Sequence, residues 1–409
     1  MTGAIVSVLS WTLALLVLVS VALNVWQWWA ARRFPLHRRI AQTDFAPAVT
    51  LLKPLKGCDA ETEECLRSWF RQEYPGPIQI LFAVASADDP AAAVANRLLA
   101  EFPQASARLA VCGELRGANA KVAKLAQLAR HAEHDLWVIS DADVRVPPDL
   151  IVNVVAPLRE PEVGLTFCFY RLANPRTPAM RWEAVAINAD FWSQVLQGKS
   201  ARGLDFALGA VMATRRADME RIGGFDALAD CLADDYQLGH RIAKTGQRIE
   251  ICPVVVECWD PPQGWRAVWA HQLRWARTIR VSMPVGFFFS ILGNATLWPL
   301  LCLAKGSVFI TRYSWIETHP HETVHTTVIV NLTAGVVAAC LLLRAATAHD
   351  NHRRLSPATA CVRDLWFVWL KDILQFIVWA AAFVGNTVLW RGVRYHVRRD
   401  GTVVRMDSK

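Results

Sequence analysis

The sequence predicts an α/β domain built on a largely parallel sheet and flanked on both sides by membrane-entering helices. Three observations point there: short apolar strands alternate with helix-compatible stretches, long uncharged runs lie towards both ends, and carboxylates follow strand ends. The chain has 409 residues, is 53% hydrophobic and carries 18 Trp, with a mean hydropathy of +0.22. It is too apolar for an ordinary soluble enzyme, and its middle is too charged for a protein buried wholly in lipid.

Residues 5–30 contain no charged side chain, and this run exceeds the roughly 20 residues that cross a bilayer core. A cleaved leader carries its positive charge ahead of a shorter apolar stretch, whereas here Arg32, Arg33, Arg38 and Arg39 come after it. The run is therefore expected to be an anchor with its N-terminus outside and the arginines in the cytoplasm. Apolar segments return at 285–304, 326–343 and 373–390, and the tail carries Arg391, Arg394, Arg398, Arg399 and Arg405.

Four full crossings would place that tail outside, so one late segment is expected to enter and leave on the same side. The stretch 366–390 is the choice, because Lys371 and Asp372 are costly at mid-bilayer. Both are expected to lie at the interface and reach towards water. The expected division is an anchor at 1–31, a cytoplasmic domain at 32–283, membrane segments at 284–390 and a basic tail at 391–409.

Ten cysteines occur without a C-x-x-C pair, which suits reduced thiols better than disulfides or zinc. His319, His321 and His325 are expected in a solvated loop. The net charge of +8 accompanies no nucleic-acid motif, and many basic residues flank membrane segments. Anionic lipid headgroups account for them, and no nucleic-acid partner is expected.

In the middle, strands are expected at 49–52, 78–84, 108–112 and 136–140, with helices at 61–71, 91–101 and 121–132. In such a sheet ligands gather at the carboxyl ends of strands. Asp141 and Asp143 leave one such end. Taken alone they also fit a solvated turn; as a sparse pair they suit Mg2+ or Mn2+ shared with a diphosphate. Lys121 opens the preceding helix, within reach of a phosphate or nucleobase or simply in solvent.

Asp234 and Asp235 open a later helix. Capping explains one, and the second is the candidate base. The stretch 259–280 carries Trp259, Trp265, Trp269 and Trp275 with Arg266, Arg274, Arg277 and Arg280. Helical spacing from Trp265 through Trp269 and Gln272 to Trp275 predicts an amphipathic helix lying on the membrane, with Arg274 placed to neutralise a leaving diphosphate. This order of groups reads as sugar transfer from a nucleotide donor.

Leu51-Leu52-Lys53-Pro54-Leu55-Lys56-Gly57, Ala87-Asp88-Asp89-Pro90, Ser140-Asp141, Asp234-Asp235-Tyr236 and Arg274-Trp275 occur in this order between one N-terminal and several C-terminal apolar segments. In this the chain resembles the ceramide glucosyltransferase family, which includes bacterial relatives acting on hopanoid lipids. The resemblance implies a GT-A type fold, an inverting UDP-sugar transferase and a lipid acceptor. It also implies that Asp141 meets the donor, that Asp235 is the base, and that Arg274 and Trp275 end the (Gln/Arg)-x-x-Arg-Trp motif.

Two positions depart from that pattern. Ser86 stands where the family has its first, nucleotide-contacting aspartate, with Asp88 two residues on, and His271 stands where the motif begins with Gln or Arg. The expected partners are a UDP-sugar, a lipid such as ceramide or a hopanoid, and the bilayer, with a bacterial inner membrane favoured by the Ala- and Arg-rich composition. Competing expectations are a processive polysaccharide synthase and an inactive sugar-nucleotide-binding module.

Overall fold

Strand β1 (Val49–Pro54) is buried along its whole length, Lys53 included, and β2 (Ile78–Val84) is buried from Gln79 onward. Burial at successive positions, where side chains alternate between faces, belongs to strands covered on both faces. These strands come from a computed structural model, which describes residues 2–40, 44–313, 320–357, 365–390 and 392–406. The chain divides into two compact units, one built on a sheet (34–180, 198–282 and 386–409) and one on apolar helices (1–33, 181–197 and 283–385).

The sheet unit continues with β3 (Ser106–Val111), β4 (Leu136–Ser140), β5 (Val144–Arg145), β6 (Val163–Leu172), β7 (Val211–Arg215) and β8 (Arg248–Cys258). Their order across the sheet is β3-β2-β1-β4-β7-β6-β8-β5. Leu51 of β1 lies opposite Ile80 of β2 on one side and Val138 of β4 on the other, both in parallel register. Strand β7 runs antiparallel between β4 and β6, and β5 antiparallel to β8. The other six therefore share one direction, giving the mostly parallel sheet that the strand–helix alternation predicts.

The chain steps outward from β1 to β2 and β3, then returns to β4 on the other side of β1. The carboxyl ends of β1 and β4 thus flank the reversal, the place where open α/β sheets hold their ligands. Local chemistry sets the helices between them. Asp89 accepts the Ala91 N–H at 3.0 Å ahead of the helix Pro90–Glu101, whose first residue is a proline that has no N–H to lose. Asn119 caps Ala120–Ala129 by accepting from the Lys121 and Val122 N–H groups at 3.0 and 3.2 Å. Gly117 sits in the left-handed region (φ +86°), and a Cβ there would lie 2.7 Å from the Ala229 carbonyl oxygen, so only glycine fits.

The residues expected to form a basic tail are instead folded. Thr387–Trp390 (β9), Val393–Val397 (β10) and Val403–Arg405 (β11) make an antiparallel three-stranded sheet in the order β11-β10-β9. Tyr395 and Val397 point inward with Val388, Val403 and Leu232, while Arg394, His396 and Arg398 alternate to the outside. The last expected apolar segment, 373–390, accordingly ends in a strand. Arg391 lies outside the described residues.

In the helical unit, Ser7–Arg33 and Asn331–Leu355 are long and apolar enough to cross a membrane, at 27 and 25 residues. Pro284–Gly293 and Leu297–Lys305 form a pair bent by 53°, a broken span or a re-entrant loop. The break thus falls in the first late segment, while Leu365–Ala382 is one continuous 18-residue helix. His321 and His325 lie in the helix Pro320–Leu355 rather than in a loop, and His319 is outside the described residues.

Lys371 and Asp372 do not reach outward. They are 5% and 3% exposed and join Arg344 and Asp190 in a buried ionic cluster. The Arg344 guanidinium lies 2.7 Å from Asp190 and 2.9 Å from Asp372, and the Lys371 ammonium contacts both carboxylates. Two cations facing two anions remove the mid-bilayer charge penalty that motivated the opposite expectation.

Candidate active site

The loop Asp141-Ala142-Asp143 joins β4 to β5 at the topological reversal. The Asp141 N–H donates to the Ala210 carbonyl at 3.3 Å, and the Asp143 carbonyl accepts from the Trp259 N–H at 3.0 Å. From beneath, the fully buried Lys53 ammonium donates to the Asp141 carbonyl at 2.5 Å and the Ser140 hydroxyl at 3.2 Å, 5.1 Å from the Trp69 ring. Burial pushes Lys53 down to about 8, so it is mostly charged at neutral pH. Sequence reasoning did not single out Lys53 as a site residue. The available signal was a cation one residue from the end of a strand whose other residues are mostly apolar.

Lys121 is not in solvent. Its ammonium lies 2.8 Å from Asp141 and 3.0 Å from Asp234. Burial opposes its charge, but Asp141, Asp234 and Asp235 more than offset that and hold its pKa above the usual lysine value. Asp234 therefore does not serve as a cap, contrary to expectation: besides Lys121 it accepts from the Asn119 amide at 3.4 Å, and no side chain caps the helix Asp234–Lys244. Asn119 joins the site through this contact, which no local pattern announces.

Asp235 follows in the first turn of that helix. A Cβ on Gly209 would lie 3.1 Å from its Oδ2, while the next residue, Ala210, holds the Asp141 N–H. One dipeptide thus separates Asp235 from the Asp141 loop. Burial first, and then Asp234, raise the Asp235 carboxyl to about 6 against Lys121 and the Tyr236 N–H at 2.8 Å. Tyr236 steadies the helix: its hydroxyl donates to the Ser282 carbonyl at 3.1 Å, and its ring stacks on Phe206 and His240.

Asp143 is raised to about 7 by burial and by the charges of Asp141 and Asp260. A divalent cation relieves that repulsion, so the donor set fits one. Among the described residues no three His, Cys, Asp or Glu side chains gather as a complete cage. Mg2+ and similar ions typically take one or two carboxylates and complete their shell with phosphate oxygens and water.

The remaining expected residues lie on other elements of the same unit. Trp275, on the helix Trp265–Ser282, meets Tyr170 of β6 edge-on at 6.4 Å and His271 at 4.6 Å. Tyr170 pairs with Val256 of β8, two residues before Cys258, which faces Val144 next to Asp143. Arg274 occupies the turn between His271 and Trp275. The buried stripe of this helix is Val268, Gln272 and Ala276, and helical spacing places it on the same side as Trp265, Trp269 and Trp275. Ser86 and Asp88 stand exposed after β2, which β1 separates from β4. The Ser86 hydroxyl accepts the Asp88 N–H at 3.2 Å, and Asp89 caps the helix.

Comparison with known proteins places this site in context. The family described as "Glycosyl transferase family 21" matches residues 12–403. "Ceramide glucosyltransferase 3" of Caenorhabditis elegans is 24% identical over 226 residues, 54% of this chain and 48% of the relative. An "N-acetylglucosaminyltransferase" of Bradyrhizobium diazoefficiens is 25% identical over 247 residues, 57% of this chain and 49% of the relative. The chain spans about half the length of these curated relatives. Among solved structures, "Mannosyltransferase PcManGT from Pyrobaculum calidifontis in complex with GDP-Man and Mn2+" is 20% identical with a TM-score of 0.49, the match covering 90% of this chain and 99% of that one. The family match, which runs over nearly the whole length, shows that the chain is a member of glycosyl transferase family 21.

Proposed function

We propose that this chain moves a hexose, glucose or N-acetylglucosamine, from a UDP-sugar to the hydroxyl of a membrane lipid such as ceramide or a hopanoid, inverting the anomeric centre in a single displacement. The observation that carries the reading is Asp235, a carboxyl raised to about 6 and set one dipeptide from the Asp141 loop at the sheet's reversal. Ionised at neutral pH, it takes the proton of the acceptor hydroxyl as that oxygen attacks the anomeric carbon and UDP departs. Lys121 holds Asp141 and Asp234 in place, and Arg274 meets the charge that grows on the diphosphate. Asp141 and Asp143 would hold Mg2+ or Mn2+, which when bound supplies further neutralisation of that charge.

The test is direct. Full-length protein in detergent, given radiolabelled UDP-glucose or UDP-N-acetylglucosamine with ceramide or a hopanoid, is expected to yield one glycolipid seen by mass spectrometry. Product remaining at the chromatographic origin as polymer would replace the lipid reading with a processive synthase. Excess EDTA is expected to stop transfer, and turnover that persists in EDTA removes the cation from the site.

Lys53→Met is expected to leave the fold intact, since Met fills the space without a buried charge. It loses two charge-assisted bonds under Asp141, each of about 1.5–3 kcal/mol. UDP titrations in Mn2+ should therefore show donor affinity weakened by about tenfold or more; unchanged affinity would show that the Asp141 loop does not need Lys53.

Topology follows from the sheet unit. Residues 34–180 and 386–409 belong to one compact body, which supports a scheme in which the segments between 283 and 385 cross an even number of times and the C-terminus lies with the site on the cytoplasmic side. A C-terminal tag is expected to be protease-accessible only after the inner membrane is permeabilised.

A further inference from the structure

Strands β9 to β11 come last in the chain, yet they pair with the segment that leads into Asp234 and Asp235. The Val403 N–H donates to the Asp230 carbonyl at 2.8 Å, and the Leu232 N–H to the Gly401 carbonyl at 3.3 Å. Between those bonds Cys231 and Thr402 face each other as an antiparallel bridge. Leu232 is buried with Val388, Tyr395, Val397 and Val403, against which Trp390 and Val393 pack. Arg277 and Arg280, on the helix that carries Arg274, donate to the Thr387 carbonyl and the Asn386 amide oxygen.

The opposite side of the same segment is tied to the start of the Lys121 helix. The Ala229 carbonyl accepts from the Asn119 N–H at 2.8 Å, the Asp230 carboxylate from the Ala118 N–H at 2.9 Å, and the Cys231 carbonyl from the Asn119 amide at 2.8 Å. Residues 229–232 are therefore clamped from two sides just before the acid pair. Without the C-terminal strands the segment leading into Asp235 loses two of these five hydrogen bonds, together with the packing around Leu232.

We infer that the C-terminal strands are a positioning device for the base, with Val403 and Gly401 as positioning residues that act through Asp230 and Leu232 on Asp235. The inference rests on the reading of Asp235 as base. A shift of about 1 Å in a reacting group costs on the order of a hundredfold in rate, so a few backbone bonds remote from the chemistry can decide turnover. Donor binding depends on the Asp141 loop, which is anchored by Lys53, Ala210 and Trp259 instead.

Val403→Pro is the test, because it deletes the N–H that Asp230 accepts while proline suits the extended backbone of an edge strand. Turnover of radiolabelled UDP-glucose or UDP-N-acetylglucosamine is expected to fall by about tenfold or more, with affinity for UDP in Mn2+ changed by less than about threefold. Thr402→Cys in the same variant supplies a rescue. Its partner Cys231 occupies a non-hydrogen-bonded pair, where Cα atoms lie about 4.5 Å apart, within disulfide range. Oxidation is expected to restore turnover and dithiothreitol to remove it again.

Three results would overturn the inference. One is a Val403→Pro enzyme with wild-type turnover. Another is a parallel loss of turnover and UDP affinity, and the third is an oxidised double variant that stays slow. A wild-type chain that transfers no sugar overturns the reading of Asp235 and this inference together, whereas an active wild type with an equally active Val403→Pro variant overturns this inference alone.

Discussion

Asp235→Asn is expected to abolish sugar transfer while UDP binding in Mn2+ stays within a few fold of wild type. The amide preserves shape and can still accept the Tyr236 N–H, but it takes no proton from a hydroxyl. General-base catalysis contributes typically about a hundred- to ten-thousandfold, so turnover above about a tenth of wild type would remove Asp235 from that role. The wild-type rate should also fall as pH drops through about 6, to which burial first, and then the charge of Asp234, raise the carboxyl. The residual rate of the variant should lack that limb.

Stability provides the control. A carboxyl raised from 3.8 to about 6 binds its proton more tightly in the folded state, so its ionised form costs stability, and that cost is complete above about pH 6. Asparagine removes it. The variant should therefore melt no lower than wild type at neutral pH, which separates lost chemistry from lost fold.

Arg344→Met is expected to destabilise the helical unit severely. Arg344 is 4% exposed and donates to Asp190 and to both oxygens of Asp372, while the Thr296 hydroxyl donates to Asp372 at 2.5 Å. Removing the guanidinium leaves two buried carboxylates against one ammonium. Breaking such a pair costs about 3–5 kcal/mol, mostly the penalty of the charge left behind. The melting midpoint in detergent should drop sharply, and adding Asp372→Asn should recover most of it by restoring neutrality. A single variant that melts with the wild type would show that the cluster is not what holds these helices.

The first helix, the rhythm of β1 to β4 and the placement of Asp141 at a strand end were all legible in the sequence, because each depends on neighbours within one or two turns of chain. An uncharged run of membrane length and apolar runs ended by polar turns report local free energies directly. The Asp-x-Asp spacing and the Asp235 and Arg274 motifs were equally local, which is why they could be nominated together.

What the linear pattern concealed were long-range pairings. Lys53 looked like part of a strand end until its ammonium proved to sit under the Asp141 carbonyl, and Lys121, which local pattern left between a phosphate contact and solvent, proved to be held by two distant carboxylates. Lys371 and Asp372 appeared too polar for mid-bilayer because their partners, Arg344 and Asp190, lie on other helices. The C-terminal residues read only as a basic tail, because alternating arginines on one face satisfy a solvated chain as well as an edge sheet. The sequence by itself determined the elements and the chemical groups they carry, since those follow from local propensity and composition. Only the tertiary structure decided which charges neutralise one another and which backbone holds Asp235, since burial raises the energy of every unpaired charge and only a partner brought in by the fold can lower it again.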